Sequence, residues 1–509
     1  MSEAAPVQET SGANVARWSL WALVGQGLPQ FYVVVASAFV ARYLGAATFG
    51  RIALIVTVQL AMLAFFPLGI PTTSARFFGT LIGEGRLAEA RGLYRWTWTR
   101  TLLLAVLAWA TLICLAIAGL QPRAAWLIAA FVTFFVILHS VPSALLMGSQ
   151  RWREARIVGM SAGAVAMVAK VAAAVAGARI STFFVIDLGL GIVTLTGTSL
   201  LARRTERGWP KARFPRELKN ELRRFSTISA VTIATTYVVY QRTEVFVLAH
   251  YSGDVAVAHY TVPFSLTTAL LLLPTAVTTV LAPAFATLWG ARATDALARG
   301  YGRSVRLVGL LTLVLVGAVI AVGQNVVTVI YGPEFAHLRV IVSLLALSVP
   351  LLPLATVSTS LLRALGILWP PTAVGVVAAV VDVGLSFALI PHFGPTGAAI
   401  ASTLAQVTLA VPLLVYASRC IEGRPALGVG SLLRSVLVTG IAGGVAIVPA
   451  IRLGPGIGLV VGLAVYAVLL LVLALVLRPL LREDATWIVE LLPARFAARM
   501  PRALLAVSG

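Results

Sequence analysis

Lys170, Asp187, Arg242, Glu244 and Asp382 are ionisable side chains set inside long apolar runs. Charge in such a setting is costly and marks either a pathway or a pair. Lys170 and Asp187 lie at matched depth on either side of a short turn near Arg179, so two neighbouring helices would bring them together as an ion pair. A structural pair is one reading and a transport role is the other. Arg242 and Glu244, in YVVYQRTEVF, are two residues apart. That is roughly 200° around a helix, so they face different partners. A guanidinium at Arg242 suits phosphate oxygens through two parallel hydrogen bonds, or it reaches outward to headgroups. Glu244 and Asp382 suit a proton or a sodium ion, or a helix–helix hydrogen bond. Tyr237 and Tyr240 suit stacking on sugar rings, or plain packing. His392 and Glu334 stand alone. The sequence holds no phosphate-cradling glycine loop, no HExxH and no Gly-x-Ser-x-Gly elbow. Neither a catalytic residue nor a metal site nor a cofactor is therefore expected, and the chemistry is that of binding.

The elements that position these groups are membrane-spanning helices. Hydrophobic residues make up 59% of the 509 residues and charged residues 11%, with a mean hydropathy of +0.96. Soluble domains carry about 25% charged residues. The apolar runs are too long for barrel strands, and a spanning helix needs roughly 20 apolar residues. About fourteen spans are expected, from 17–41 and 50–70 through to 431–451 and 455–477. The chain also repeats itself. ARYLGAATFGRIA at 41–53 aligns without a gap on AHYSGDVAVAHYT at 249–261. At the same offset AEARGLYR at 88–95 meets ALARGYGR at 296–303. The repeat unit is a multi-helix half, as in many secondary carriers. The expected organisation is a segment 1–16, a six-helix lobe 17–202, a basic linker 203–224, a second six-helix lobe 225–417, two extra helices 431–477 and a tail 478–509.

The net charge of +21 is distributed by loop. One set of loops holds clusters such as Arg86, Arg91 and Arg95, the linker RRTERGWPKARFPRELKNELRR and Arg299, Arg303 and Arg306. The other set holds only Arg42, Arg51, Arg123, Arg179, Arg339 and Arg452. Such a bias places the arginine-rich ends and both termini in the cytoplasm. It also removes the need for a nucleic-acid partner. The opening residues lack the pattern of a cleaved signal, so the first helix is expected to stay. Cys114 and Cys420, the two cysteines, form no framework and are expected to be packing residues. The tail, with Trp487, Leu491 and Phe496 among Arg495, Arg499 and Arg502, suits the membrane interface.

The ordered set ARYLGAATFG at 41–50, GIPTTSARF at 69–77, YGPEF at 331–335, ALG at 364–366 and LIPHFGPTGAAIAST at 389–403 resembles bacterial polysaccharide flippases. These belong to the multidrug/oligosaccharidyl-lipid/polysaccharide exporter superfamily and include O-antigen translocases. The resemblance implies an all-α integral membrane fold of about fourteen helices, with two pseudo-symmetric six-helix lobes facing a central cavity and two further C-terminal helices. It implies alternating access in the bacterial cytoplasmic membrane, ion-gradient coupled. The cargo it implies is an undecaprenyl-diphosphate-linked oligosaccharide. Membrane lipids, a polysaccharide polymerase and glycosyltransferases are the implied partners of a monomer. In this family the first, second, seventh and eighth helices line the cavity. Here they supply Gln26 and Gln30, Gln59, and Arg242. The competing readings are a multidrug exporter of the same superfamily, a lipid II flippase and a structural scaffold for glycan enzymes. The first two lack their acidic or charged first helix here.

Overall fold

A computed structural model describes residues 12–210, 214–240, 243–279, 281–367, 369–421 and 427–491. Helices account for the fold, and no β-strand occurs among the described residues. The first group is α1 (Gly12–Phe65), α2 (Ile70–Gly83), α3 (Leu87–Ile117), α4 (Arg123–Gly148), α5 (Trp152–Val175) and α6 (Ile180–Glu206). The second runs α7 (Arg216–Tyr240), α8 (Glu244–Tyr251), α9 (Gly253–Leu270), α10 (Leu272–Thr279), α11 (Leu281–Gly290), α12 (Thr294–Tyr331), α13 (Arg339–Ser348), α14 (Leu351–Ala364) and α15 (Trp369–Arg419). Two further helices, α16 (Val429–Arg452) and α17 (Pro455–Leu477), pack on α12, and α18 (Arg482–Leu491) follows them.

Ten helices among the described residues are long and apolar enough to cross a membrane, rather than fourteen separate ones. Two of the ten are long enough to cross twice. At 1.5 Å per residue, the 54 residues of α1 would extend about 80 Å, against a hydrocarbon core of about 30 Å. The chain leaves helical geometry at Gly45, with φ 79° and ψ 167°. The 51 residues of α15 break in the same way at Gly394, φ 53° and ψ −132°. Conversely, the segments from Arg216 to Tyr251 and from Gly253 to Gly290 are each divided into shorter helices. The basic stretch 203–224 is not all connector either: α6 continues to Glu206 and α7 already begins at Arg216.

The internal repeat has a structural counterpart. Gly45 and Gly253, matched in the sequence, share a φ of 79° and 78° at the two helix breaks. The second match falls on the first turns of α3 and α12. Packing inverts the rule of soluble proteins. The outer faces are apolar, as with Val460 at 68% and Val476 at 70% exposure on α17, because hydrocarbon is the solvent there. Small residues let helices approach: a methyl on Gly443 of α16 would lie 2.8 Å from the carbonyl oxygen of Gly317 on α12.

Candidate functional site

Within the first helical group lies a cavity of about 480 Å³, walled by α1, α4, α5 and α6 and closed from the second group by Thr261 and Ser265 of α9. Most of its lining is Val, Ala, Leu and Phe. The polar exceptions are Gln59, Thr133, His139, Lys170 and Asp187, with a few hydroxyls. The hairpin of α5 and α6, turning at Gly177 with φ 67°, sets Lys170 and Asp187 level with each other. Lys170 Nζ lies 2.6 Å from Asp187 Oδ1. The two side chains retain 24% and 21% exposure, so the pair faces the cavity. Gln59 turns its amide to α4, donating to Ala129 O at 3.0 Å. His139 Nε2 is 3.2 Å from Ser143 Oγ one turn away.

A second polar cluster sits among α8, α9 and α15. Glu244 is 2% exposed at the start of α8, and Asp382 is fully buried on α15. Thr243 Oγ1 donates to Asp382 Oδ2 at 3.0 Å. Glu244 interacts electrostatically with Asp382 and with the hydroxyls of Tyr260 and Ser402. Asp382 Oδ1, Ser386 Oγ and Tyr260 OH are buried without a hydrogen-bond partner among the described residues. The two carboxyl groups thus share one buried polar cluster with the hydroxyls of Thr243, Tyr260, Ser386 and Ser402.

Contacts join the two groups at the arginine-poor end, and Arg76 and Phe77 of α2 against Phe225 of α7 join them at the other. Glu334 Oε2 accepts from the Ala46 N–H at 2.8 Å, just past the Gly45 break. Arg42 Nη1 donates to Val329 O at 3.0 Å, and Arg51 Nε lies 2.6 Å from Asp254 Oδ2. Glu334, taken from the sequence as solitary, is therefore held by the first helical group. The groups also touch deeper in the molecule, where Tyr237 OH donates to Thr57 O at 2.9 Å. Beyond that, Thr73 Oγ1 donates to Ser229 Oγ at 3.2 Å. Contacts of the arginine-rich set stay at their own end, as in Arg303 and Arg306 gripping Asp484 of α18.

Among the residues singled out in the sequence, Lys170, Asp187 and Gln59 share one cavity, while Glu244 and Asp382 share the other cluster. Tyr237 is buried, with its ring edge-on to Phe65 at 5.5 Å and its hydroxyl occupied. Tyr240 packs against a buried apolar cluster. Gln30 is half-exposed and is not part of the cavity wall. Arg242 and the side chain of Gln26 lie outside the described residues. Sequence reasoning missed His139, although a histidine within the apolar run ILHSVPS was a usable signal. It also missed Thr261, which carries none: a lone hydroxyl in a helix looks like any other.

The helical bundle is similar in fold to solved transporters of the MOP superfamily. A multidrug resistance MATE family transporter in its inward-facing conformation superposes with a TM-score of 0.67 at 14% identity, over 79% of this chain and 97% of that one. The lipid II flippase MurJ, inward closed, gives 0.67 at 12% identity over 88% and 97%. A MOP superfamily transporter from Pyrococcus furiosus gives 0.59 at 15% identity over 79% and 94%. No curated protein matches by sequence. The profile of the family described as "Polysaccharide biosynthesis protein" matches residues 39–340, and the chain belongs to that family.

Proposed function

We propose that this protein moves undecaprenyl-diphosphate-linked oligosaccharide repeat units from the inner to the outer leaflet of the bacterial cytoplasmic membrane, supplying surface polysaccharide assembly. The family match, whose description is polysaccharide biosynthesis, carries the reading. A largely apolar cavity with one ion pair on its wall supports it, since the cargo joins a charged diphosphate to sugars and a lipid. In this reading the arginine-rich ends face the cytoplasm. The contacts of Glu334, Arg42 and Arg51 are then the outer gate of an alternating-access cycle. Arg242 is the proposed ligand of the diphosphate and Gln59 a polar contact on the cavity wall, while Tyr237 and Tyr240 take the packing role. The buried carboxyls Glu244 and Asp382 exchange a proton or sodium ion to couple transport to a gradient. The protein works as a monomer without covalent chemistry and delivers to a polymerase. A drug exporter would need an unmatched carboxylate for cationic cargo. Asp187, the acidic residue of the cavity wall, already holds a lysine.

Mass spectrometry of polyprenyl-linked glycans from cells lacking the protein tests this. Accumulation of one undecaprenyl diphosphate oligosaccharide, with loss of the matching surface polymer, is the expected result. Unchanged glycan pools and surface polymer would reject the cargo.

A further inference from the structure

The Lys170–Asp187 pair has the chemistry of an exchangeable anion site rather than of a fixed brace. Holding α5 to α6 does not require it. The two helices already turn back at Gly177, and they pack closely where Gly197 meets Val158. A brace would also be sealed between its helices, whereas each of these side chains keeps a fifth to a quarter of its surface open to the cavity.

The ammonium group carries three donors, and Asp187 is the acceptor found for it among the described residues. Donors therefore remain for a ligand. On the same cavity wall, the Thr261 hydroxyl of α9 is buried and has no hydrogen-bond partner among the described residues. Two unused polar groups thus line one space whose remaining wall is mostly apolar. The other titratable group on that wall is His139 of α4, while α1 and α9 contribute none. An anion entering such a space loses most of its hydration and must meet a cation there. A carboxylate already on that cation competes with it.

We propose that Lys170 is the cavity's ligand for an isoprenoid-linked diphosphate, with Asp187 as the resting counter-ion that the diphosphate displaces and Thr261 as an added hydroxyl contact. The pair keeps the empty cavity neutral and makes entry conditional on an anion strong enough to take the ammonium. This rests on the flippase reading for the class of cargo, and it assigns the anion contact to α5 in addition to Arg242.

The test is binding of farnesyl diphosphate to the purified full chain in detergent, followed by native mass spectrometry. Inorganic diphosphate, farnesol and phosphatidylglycerol serve as separate arms. Wild type should bind farnesyl diphosphate in preference to all three. Asp187→Asn should bind about tenfold more tightly, because the competing charge is gone while the isosteric amide remains. Lys170→Met removes one partner and endangers folding, so the deciding variant is Lys170→Met with Asp187→Asn. It should recover wild-type abundance and melting temperature yet bind at least about tenfold more weakly. Equal binding by the double variant and wild type overturns the anion site and leaves the flippase reading intact. Stronger binding of phosphatidylglycerol than of farnesyl diphosphate overturns the diphosphate assignment. No diphosphate binding by wild type, together with unchanged glycan pools in cells, overturns both.

Discussion

Glu334 illustrates how much a single side chain depends on its partner. Its carboxylate accepts from the N–H of Ala46, a residue that is 6% exposed at a helix break where no helical carbonyl is available. Removing the acceptor leaves a buried donor unsatisfied, which costs about 1–3 kcal/mol. Glu334→Ala should therefore lower the melting temperature in detergent. Glu334→Gln, which keeps a carbonyl oxygen, should lower it less. A neutral result for the alanine variant would show that water replaces the carboxylate. Arg242→Ala should block glycan export at unchanged protein abundance if the guanidinium holds the cargo's diphosphate. Equal export at matched abundance would remove it from the site. Arg51 and Asp254 call for a smaller expectation. They are 52% and 29% exposed, and such pairs contribute about 0–1 kcal/mol. Arg51→Ala should thus leave the melting temperature within error and, at most, modestly raise access to the cavity from the arginine-poor side.

At the scale of elements, close helix approach does more than surface ion pairs. A methyl on Gly50 would lie 1.8 Å from the carbonyl oxygen of Asp254, so the two backbones cannot both stay where they are. Gly50→Ala should separate α1 from α9 at that end. A cysteine placed at Ser37, on the cavity wall, should then react faster with an impermeant thiol reagent from the arginine-poor side, with Cys114 and Cys420 replaced beforehand. An unchanged labelling rate would mean that the backbone relaxes without opening. The C-terminal end follows a different logic. Asp484 of α18 is 1% exposed and meets Arg306, itself 7% exposed, through two bonds of 2.7 Å. Removing one partner of such a buried pair costs about 3–5 kcal/mol. Asp484→Asn should reduce abundance and melting temperature well beyond the effect of any surface arginine. Arg306→Met with Asp484→Leu should recover part of the loss. The sequence placed this tail in the interface by its amphipathic pattern, and nothing in that pattern marked one aspartate as buried.

For the whole molecule, the two helical groups meet along α1 and α9, where one apolar core runs through both, and again where α2 meets α7. The buried carboxyls lie in the second group and the ion-paired cavity in the first. Coupling an ion to a cargo requires that each bias the same equilibrium between arrangements of the groups. Thr261 and Ser265 of the cavity wall and Tyr260 of the carboxyl cluster are near neighbours on α9. That helix is the element through which the two sites would sense each other. Glu244→Gln and Asp382→Asn should each abolish gradient-dependent export while leaving farnesyl diphosphate binding near the wild-type level. Loss of binding in these variants would place them in the cargo site instead.

Composition, apolar run length and arginine bias determined the class of fold, because backbone groups in hydrocarbon have few ways to be satisfied. The repeat determined that Gly45 and Gly253 would play matching parts, and equal spacing about a turn determined that Lys170 and Asp187 would meet. These are local properties, readable along one chain. Only the tertiary structure decided that Glu334 clasps Ala46, 288 residues away, that Glu244 and Asp382 lie together, and that Thr261 of one group completes the cavity of the other. Such pairings join distant segments whose rotation about their own axes the sequence leaves open, and rotation alone decides which side chains share a space.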